Sequence, residues 1–118
     1  MKYAIISDIH SNVHTLKVAL DCIEKDNVDE IICLGDIVGY NANPSECIEI
    51  IRHHPKIKKV IRGNHDEAIT RFSNIGFLEW QEWSKDAIDG LEYSHSVIGE
   101  KDVEWIKFCK KFARKILI

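Results

Sequence analysis

Short apolar runs alternate with helical periodicity along the first half of the chain. Apolar and largely β-branched runs predict buried strands over residues 2–7, 29–34 and 58–62. The segments between them predict a helix ending near residue 26 and a second helix over residues 43–54. Strand, helix, strand, helix, strand is the order that forces parallel pairing with right-handed crossovers. The fold class predicted is therefore α/β, with a parallel βαβαβ sheet.

The second half carries a weaker pattern. An aromatic face predicts a helix over residues 77–89, and residues 90–99 are expected to be irregular. A further helix is predicted to begin near residues 99–102, and a strand over residues 115–118. A chain of 118 residues is expected to form one domain, residues 1–118.

Polar residues follow each of the three predicted strands. They are Asp8 and His10 after the first, Asp36 after the second, and Asn64, His65 and Asp66 after the third. Because loops leaving the carboxyl ends of parallel strands meet at one edge of the sheet, these side chains are expected to lie together. Carboxylate, imidazole and amide groups suit divalent metals such as manganese, iron or zinc.

This arrangement suggests roles for the residues. Two metals about 3.5–4 Å apart can bind both the attacking and the departing oxygen of a phosphoryl displacement. Asp36 is the natural bridge, with Asp8 and His10 on one side and Asn64 on the other. His65 is expected to lie outside the ligand set and to donate to a phosphate oxygen or a leaving group. Asp66 is expected to orient the His65 ring and keep it protonated.

Each residue also has a purely structural interpretation. Asp8 and Asp36 can make turns at strand ends, and Asn64 can occupy a left-handed turn after Gly63. A lone His10 is more often structural than a ligand. Three equivalent strand ends that each deliver a ligand favour the metal interpretation. Among the other histidines, His14, His53 and His54 are interpreted as structural, whereas His95 has no assigned place.

Composition limits the cellular environment and the classes of binding partner that the sequence is compatible with. A net charge of −3 gives no patch for nucleic acid, and the sequence shows neither a membrane span nor a signal peptide. Four scattered cysteines, Cys22, Cys33, Cys47 and Cys109, lack metal-type spacing and are interpreted as reduced core residues. We therefore expect a cytoplasmic protein; the phosphoryl chemistry suggested by the metal ligands above then favours a small phosphate ester as its substrate.

Three segments carry a family resemblance. Asp8-Ile9-His10, Gly35-Asp36-Ile37-Val38-Gly39 and Gly63-Asn64-His65-Asp66 resemble the first three motifs of the calcineurin-like metallophosphoesterases. The segment Gly39-Tyr40-Asn41-Ala42-Asn43-Pro44 is similar to the prokaryotic phosphodiesterase-like branch. It lacks the Asp-Arg-Gly of the Ser/Thr protein phosphatases.

The resemblance implies a fold and a site. Asp8, His10 and Asp36 would bind one metal, Asp36 and Asn64 a second, and His65 would be the transition-state histidine. The family fold is a four-layer αββα sandwich, and only its first sheet with the attached helices is expected here. Two later motifs with histidines, one of them Gly-His-x-His, do not occur before the sequence ends. We therefore expect the N-terminal half of such an enzyme, either a truncated product or a fragment, with at most one tightly bound metal instead of two.

Three functions remain open on the sequence. The first is a phosphoesterase that hydrolyses phosphomonoesters or phosphodiesters through a metal-bridged hydroxide. The second is an inactive, truncated relic that binds one metal or a partner protein without turnover. The third is a regulatory or structural α/β module without metal. An uncovered apolar face of the sheet would also favour a homo-oligomer.

Overall fold

Three short parallel strands form the centre of the structure, a computed structural model that describes residues 1–111. The strands are β1 (Tyr3–Ile6), β2 (Glu30–Cys33) and β3 (Ile57–Val60), in the order β1-β2-β3. Each lies within two residues of its predicted bounds. The predicted α/β class and parallel pairing are confirmed.

Within residues 1–111, six α-helices connect and flank these strands. They are α1 (Val13–Lys25), α2 (Pro44–His53), α3 (Asn64–Thr70), α4 (Phe77–Trp80), α5 (Lys85–Val97) and α6 (Glu100–Phe108), with a 3₁₀ turn at Phe72–Asn74. Helices α1 and α2 are the predicted crossover helices. Helix α6 begins directly after Gly99, where the sequence predicted the start of a helix. Helix α2 contacts α1 and α5, whereas α3 contacts α5 and α6. The later helices therefore join the same core as the βαβαβ unit.

The core lies between the sheet and these helices. Its fully buried members include Cys33 of β2, Ile48 and Ile51 of α2, Leu91 of α5 and Ile106 of α6. Side chains alternate along a strand, so the other face of β1 is left uncovered. Tyr3 is 50% exposed and Ile5 is 59% exposed on that face. Association of two copies through it stays a prediction.

The second half of the chain differs from the sequence prediction. The helix expected over residues 77–89 is two helices, because the chain breaks after α4 and restarts where the Ser84 side chain accepts from Ala87 N. Residues 90–97 are helical and not irregular, as α5 continues through Gly90 to Val97. Helix α3 was missed because it begins inside the Gly63-Asn64 motif and has only seven residues.

The end of the described chain returns to the sheet. An isolated parallel bridge joins Ile61 to Lys110, and Arg62 N donates to Lys110 O at 2.7 Å. The strand predicted over residues 115–118 lies outside the described residues. Within residues 1–111, no helix is both long enough and apolar enough to cross a bilayer.

The four cysteines are free thiols in three different environments. Burial raises the pKa of Cys33 and of Cys47 to about 12, and the pKa of the half-buried Cys109 to about 11. They therefore remain protonated near neutral pH and are poor metal ligands there. The prediction of four core cysteines is wrong for Cys22, which is exposed on α1. Cys22 lies outside the apolar face that α1 turns towards the core.

Candidate metal centre

Two loops at the carboxyl end of the sheet are hydrogen-bonded side by side. Residues 7–12 follow β1, and residues 34–43 follow β2. Asp8 N donates to Gly35 O at 3.0 Å, and His10 N donates to Asp36 O at 2.9 Å. The first loop is therefore fixed against the second by main-chain bonds, which places the side chains of both loops at one edge.

Three of the predicted ligands converge at this edge. One possible metal-ligand atom from each of Asp8, His10 and Asp36 lies within 4.8 Å of the other two. His10 Nδ1 lies 3.0 Å from Val38 O, and a carbonyl only accepts, so Nδ1 carries the proton and Nε2 is left free as a ligand atom. His10 Nε2 lies 3.4 Å from Asp8 Oδ1. Two carboxylates and one correctly oriented imidazole fit a divalent metal, as the sequence predicted.

The backbone at these ligands is strained. Asp8, His10 and Asp36 have φ values of 58°, 47° and 54°, in the left-handed region. A residue other than glycine held there costs about 1–3 kcal/mol, and such residues concentrate at functional sites. The three convergent side chains therefore occupy positions that the loops hold at an energetic cost.

Helix α3 brings the third motif against the second. His65 N donates to Asp36 Oδ1 at 2.9 Å, so the first turn of α3 lies directly on the Asp36 carboxylate. Asn64 is exposed at the first position of α3, one residue before that amide. Asp36 Oδ1 is thereby oriented by the main chain, and the role of Asn64 as a ligand stays a prediction.

His65 lies in an aromatic cage. Its side chain is buried, and its ring centroid is 4.7 Å from that of His10 and 5.0 Å from those of Tyr40 and Trp83. A Cβ atom on Gly39 would come within 2.6 Å of His65 Nδ1, so glycine is required for this close approach. Nδ1 is buried without a hydrogen-bond partner among residues 1–111.

This environment favours the neutral form of the ring. Burial lowers the pKa of His65 below its ordinary value, whereas the nearby Asp36 carboxylate acts in the opposite direction. The expectation that Asp66 keeps His65 protonated finds no support here, because Asp36 and Asp8 are the carboxylates that raise the pKa of the ring. Sequence adjacency was misleading, because neighbouring residues on a helix point in different directions.

Asp66 instead joins two motifs through the main chain. Its buried carboxylate accepts from four N–H groups, those of Asp36, Ile37, Val38 and Gly63, at 2.7, 2.9, 3.2 and 3.0 Å. Burial raises the pKa of Asp66 to about 6. The hydrogen bonds from the main chain of Gly63, Val38 and Ile37 act in the opposite direction and lower it. Both oxygens are thus used to hold the Asp36 loop against α3, and the predicted role in orienting His65 is not observed.

Helix α5 supports the site, although the sequence did not point to it. Gly39 N donates to Ser94 Oγ at 3.1 Å, and a Cβ on Gly90 would lie 2.3 Å from Tyr40 N. Trp83 precedes the helix and packs its ring against His65. The signal missed was Gly90, because a glycine inside a helix often marks a close backbone approach.

The remaining histidines are distributed outside the cluster. His14 is exposed on α1, and His53 is exposed on the last turn of α2 with Nδ1 near Glu49. His54 follows as the C-cap of α2. His95, which had no predicted place, stacks on Phe72 with centroids 4.4 Å apart. The three structural assignments agree with these positions.

A parallel sheet with carboxylates and an imidazole at its strand ends defines a metal-binding α/β protein. More specifically, residues 1–113 match the family model of the calcineurin-like phosphoesterases, so the chain belongs to this family. The resemblance of the three motifs is thereby confirmed. The family is one of phosphoesterases that act with divalent metals.

The chain is also similar to individual proteins, one of which is described as a metallophosphoesterase. The chain is 43% identical over 91 residues to the uncharacterized protein MJ0912 of Methanocaldococcus jannaschii, an alignment that covers 72% of this chain and 36% of that protein. Hypothetical protein PH1004 from Pyrococcus horikoshii has a similar structure, with a TM-score of 0.79, 27% identity, and coverage of 92% of this chain and 48% of its own. A metallophosphoesterase from Sphaerobacter thermophilus gives a TM-score of 0.68, 28% identity, and coverage of 92% and 41%. The chain therefore spans less than half the length of each of these proteins.

Proposed function

We propose that this chain takes part in metal-dependent hydrolysis of phosphomonoesters or phosphodiesters. The observation that carries the proposal is the convergence of Asp8, His10 and Asp36 within 4.8 Å, beside the His65 ring. A structural role alone gives no reason to place two carboxylates and an imidazole together on strained backbone, beside a second imidazole.

Each residue has a defined task in this proposal. Asp8, His10 Nε2 and Asp36 would hold one divalent ion, with manganese, iron and zinc as the candidates. Asp36 and Asn64 would hold a second ion. A bound divalent ion supplies a Lewis acid for the phosphoryl oxygens. The hydrogen bond from His10 Nδ1 to Val38 O keeps the imidazole in the tautomer that a metal requires.

His65 is the proposed catalytic residue. Its ring lies beside the ligand cluster, and its main-chain N–H is used by Asp36, so the ring alone is free to act on substrate. The neutral ring would donate its N–H to a phosphoryl oxygen. To give a proton to the departing oxygen it would act in its protonated form, which the Asp36 carboxylate favours. Packing by Trp83 and Tyr40 excludes water from one side of the ring and fixes its orientation.

A second candidate function is metal binding without turnover. Three donors converge on one position, whereas the described residues offer the second position only Asp36 and the neutral oxygen of Asn64. A divalent cation binds weakly to one carboxylate and one neutral oxygen, because water competes for the same coordination positions. This observation favours one tightly bound metal and weak hydrolysis by residues 1–118 alone.

Turnover by the metal-loaded chain separates these functions. We expect slow hydrolysis of p-nitrophenyl phosphate or bis-p-nitrophenyl phosphate with added Mn²⁺, and loss of both metal and turnover in Asp36→Asn. Asp21→Asn, an exposed carboxylate on α1, serves as the matched control and should change neither quantity. Metal retention without turnover would support the second function. A chain that binds no divalent metal would contradict both and favour a metal-free module.

A further inference from the structure

We propose that Tyr40 determines which class of phosphate ester this centre accepts. Its ring would stack on an aromatic ring carried by the leaving group, such as the base of a nucleoside phosphate. The inference rests on the proposed function and extends it from the phosphoryl group to the part of the ester that departs. Three independent features of Tyr40 carry it: its ring contacts, its backbone conformation and the grooves that it borders.

One side of the Tyr40 ring packs in the site, and another part of the ring is exposed to solvent. Its centroid lies 4.9 Å from the His10 ring in an edge-on arrangement and 5.0 Å from the His65 ring. Nevertheless, Tyr40 remains 47% exposed. A large aromatic surface is thus presented to solvent directly beside a metal ligand and the proposed catalytic histidine. Aromatic faces of this kind stack on flat rings of a ligand.

The backbone at Tyr40 makes its identity unusual. Its φ is 58°, following Gly39 at 91°. Glycine or asparagine occupies the left-handed region at lower cost than a bulky aromatic residue. The Tyr40 main chain is also pressed against Gly90, so its conformation cannot relax. Packing against the two histidines uses only part of the ring, because Tyr40 is 47% exposed, and contact with a ligand accounts for the remaining part.

Tyr40 stands between two openings. On one side, a cavity of about 460 Å³ includes Asp8 and His10 in its lining. On the other, a groove of about 670 Å³ is lined by Asp86, Asp89 and Tyr93. A phosphoryl group held at the metal ligands would direct its leaving group past the Tyr40 ring towards this groove. Two carboxylates there repel a second phosphate, so a neutral aromatic group such as a nucleoside fits better than a nucleoside diphosphate.

The test compares two esters that share a leaving oxygen. Adenosine monophosphate and ribose phosphate, esterified at the same ribose hydroxyl, differ only in the base. With Mn²⁺ present, we expect kcat/KM, or the affinity where turnover is too slow, to favour adenosine monophosphate by about 5- to 150-fold, the range of base–aromatic stacking. Tyr40→Leu should remove this preference, so that both esters are handled alike; a change in rate common to both esters is expected, because the Tyr40 ring also packs on His65. Tyr40→Phe should keep it.

Controls separate stacking from general damage. Tyr3→Leu removes a tyrosine of similar exposure on the uncovered face of β1 and should keep the preference. If Tyr40→Leu does not fold, as judged by thermal unfolding, Tyr40→Asn suits the left-handed backbone and takes its place. Equal handling of both esters by the parent chain, or a preference that survives loss of the ring, would overturn the inference while leaving the proposed function intact. Failure to bind or hydrolyse either ester with metal would overturn the inference, and failure on p-nitrophenyl phosphate as well would overturn the proposed function with it.

Discussion

Replacing Gly63 with alanine displaces the Asp36 carboxylate without straining the backbone. Gly63 is the N-cap of α3, with φ −78° and ψ 179°, a conformation open to any residue. An alanine Cβ at this position would lie 2.2 Å from Asp36 Oδ1 and 2.5 Å from Asp36 N. The added methyl group therefore acts through contact alone, and its first contact is with the proposed bridging ligand.

The size of the effect follows from these distances. Relief of the contact requires the carboxylate or the α3 backbone to move by about 1 Å. Metal sites tolerate deviations of about 0.2 Å in ligand distance, so such a shift removes Asp36 as an effective ligand. We expect metal affinity to fall on the order of 100-fold or more. Overpacking should also lower the free energy of unfolding by about 1–3 kcal/mol.

The assay is calorimetric titration of the metal-free variant with Mn²⁺, together with urea unfolding. Gly99→Ala is a matched control, because Gly99 is the N-cap of α6 with φ −82° and ψ 165° and has no heavy atom within 4 Å of the added Cβ. The control should bind metal as the parent does and change stability by at most about 1 kcal/mol. Parent-like metal affinity in a folded Gly63→Ala chain would refute the contact between α3 and Asp36 as the basis of the site.

Two further substitutions test the division of roles in the third motif. His65→Ala should keep the metal and lower kcat on the order of 10²–10⁴-fold, as for loss of a general acid; loss of metal in proportion to activity would show that His65 is a ligand. Asp66→Asn should lower the free energy of unfolding by about 2 kcal/mol or more in urea, because two buried N–H groups lose an acceptor and each costs about 1–3 kcal/mol. Unchanged stability with lost turnover would instead restore a catalytic role for Asp66.

The βαβαβ unit could be predicted because its signals are local. Alternating apolar runs and helical periodicity place β1 to β3 and the first two helices within two residues. The convergence of Asp8, His10 and Asp36 followed from parallel topology, which collects the carboxyl ends of strands at one edge. Both predictions needed only the order of the elements.

The supporting contacts could not be predicted in this way. The bonds of Asp66 to four main-chain groups depend on how α3 docks on the Asp36 loop, and a residue next to His65 in sequence gave the wrong partner. The approach of α5 depends on Gly90, which a propensity argument treats as a helix breaker. Long-range packing decided both, and it overrode the local signal.

The central claim is that this chain builds a divalent-metal site from Asp8, His10 and Asp36, and a Mn²⁺ titration of the metal-free chain tests it most directly. We predict one tightly bound ion per chain by calorimetry and its loss in Asp36→Asn, because that variant removes one of the two carboxylates in the cluster. Absence of tight binding by the parent chain, or full binding by Asp36→Asn, would contradict the account.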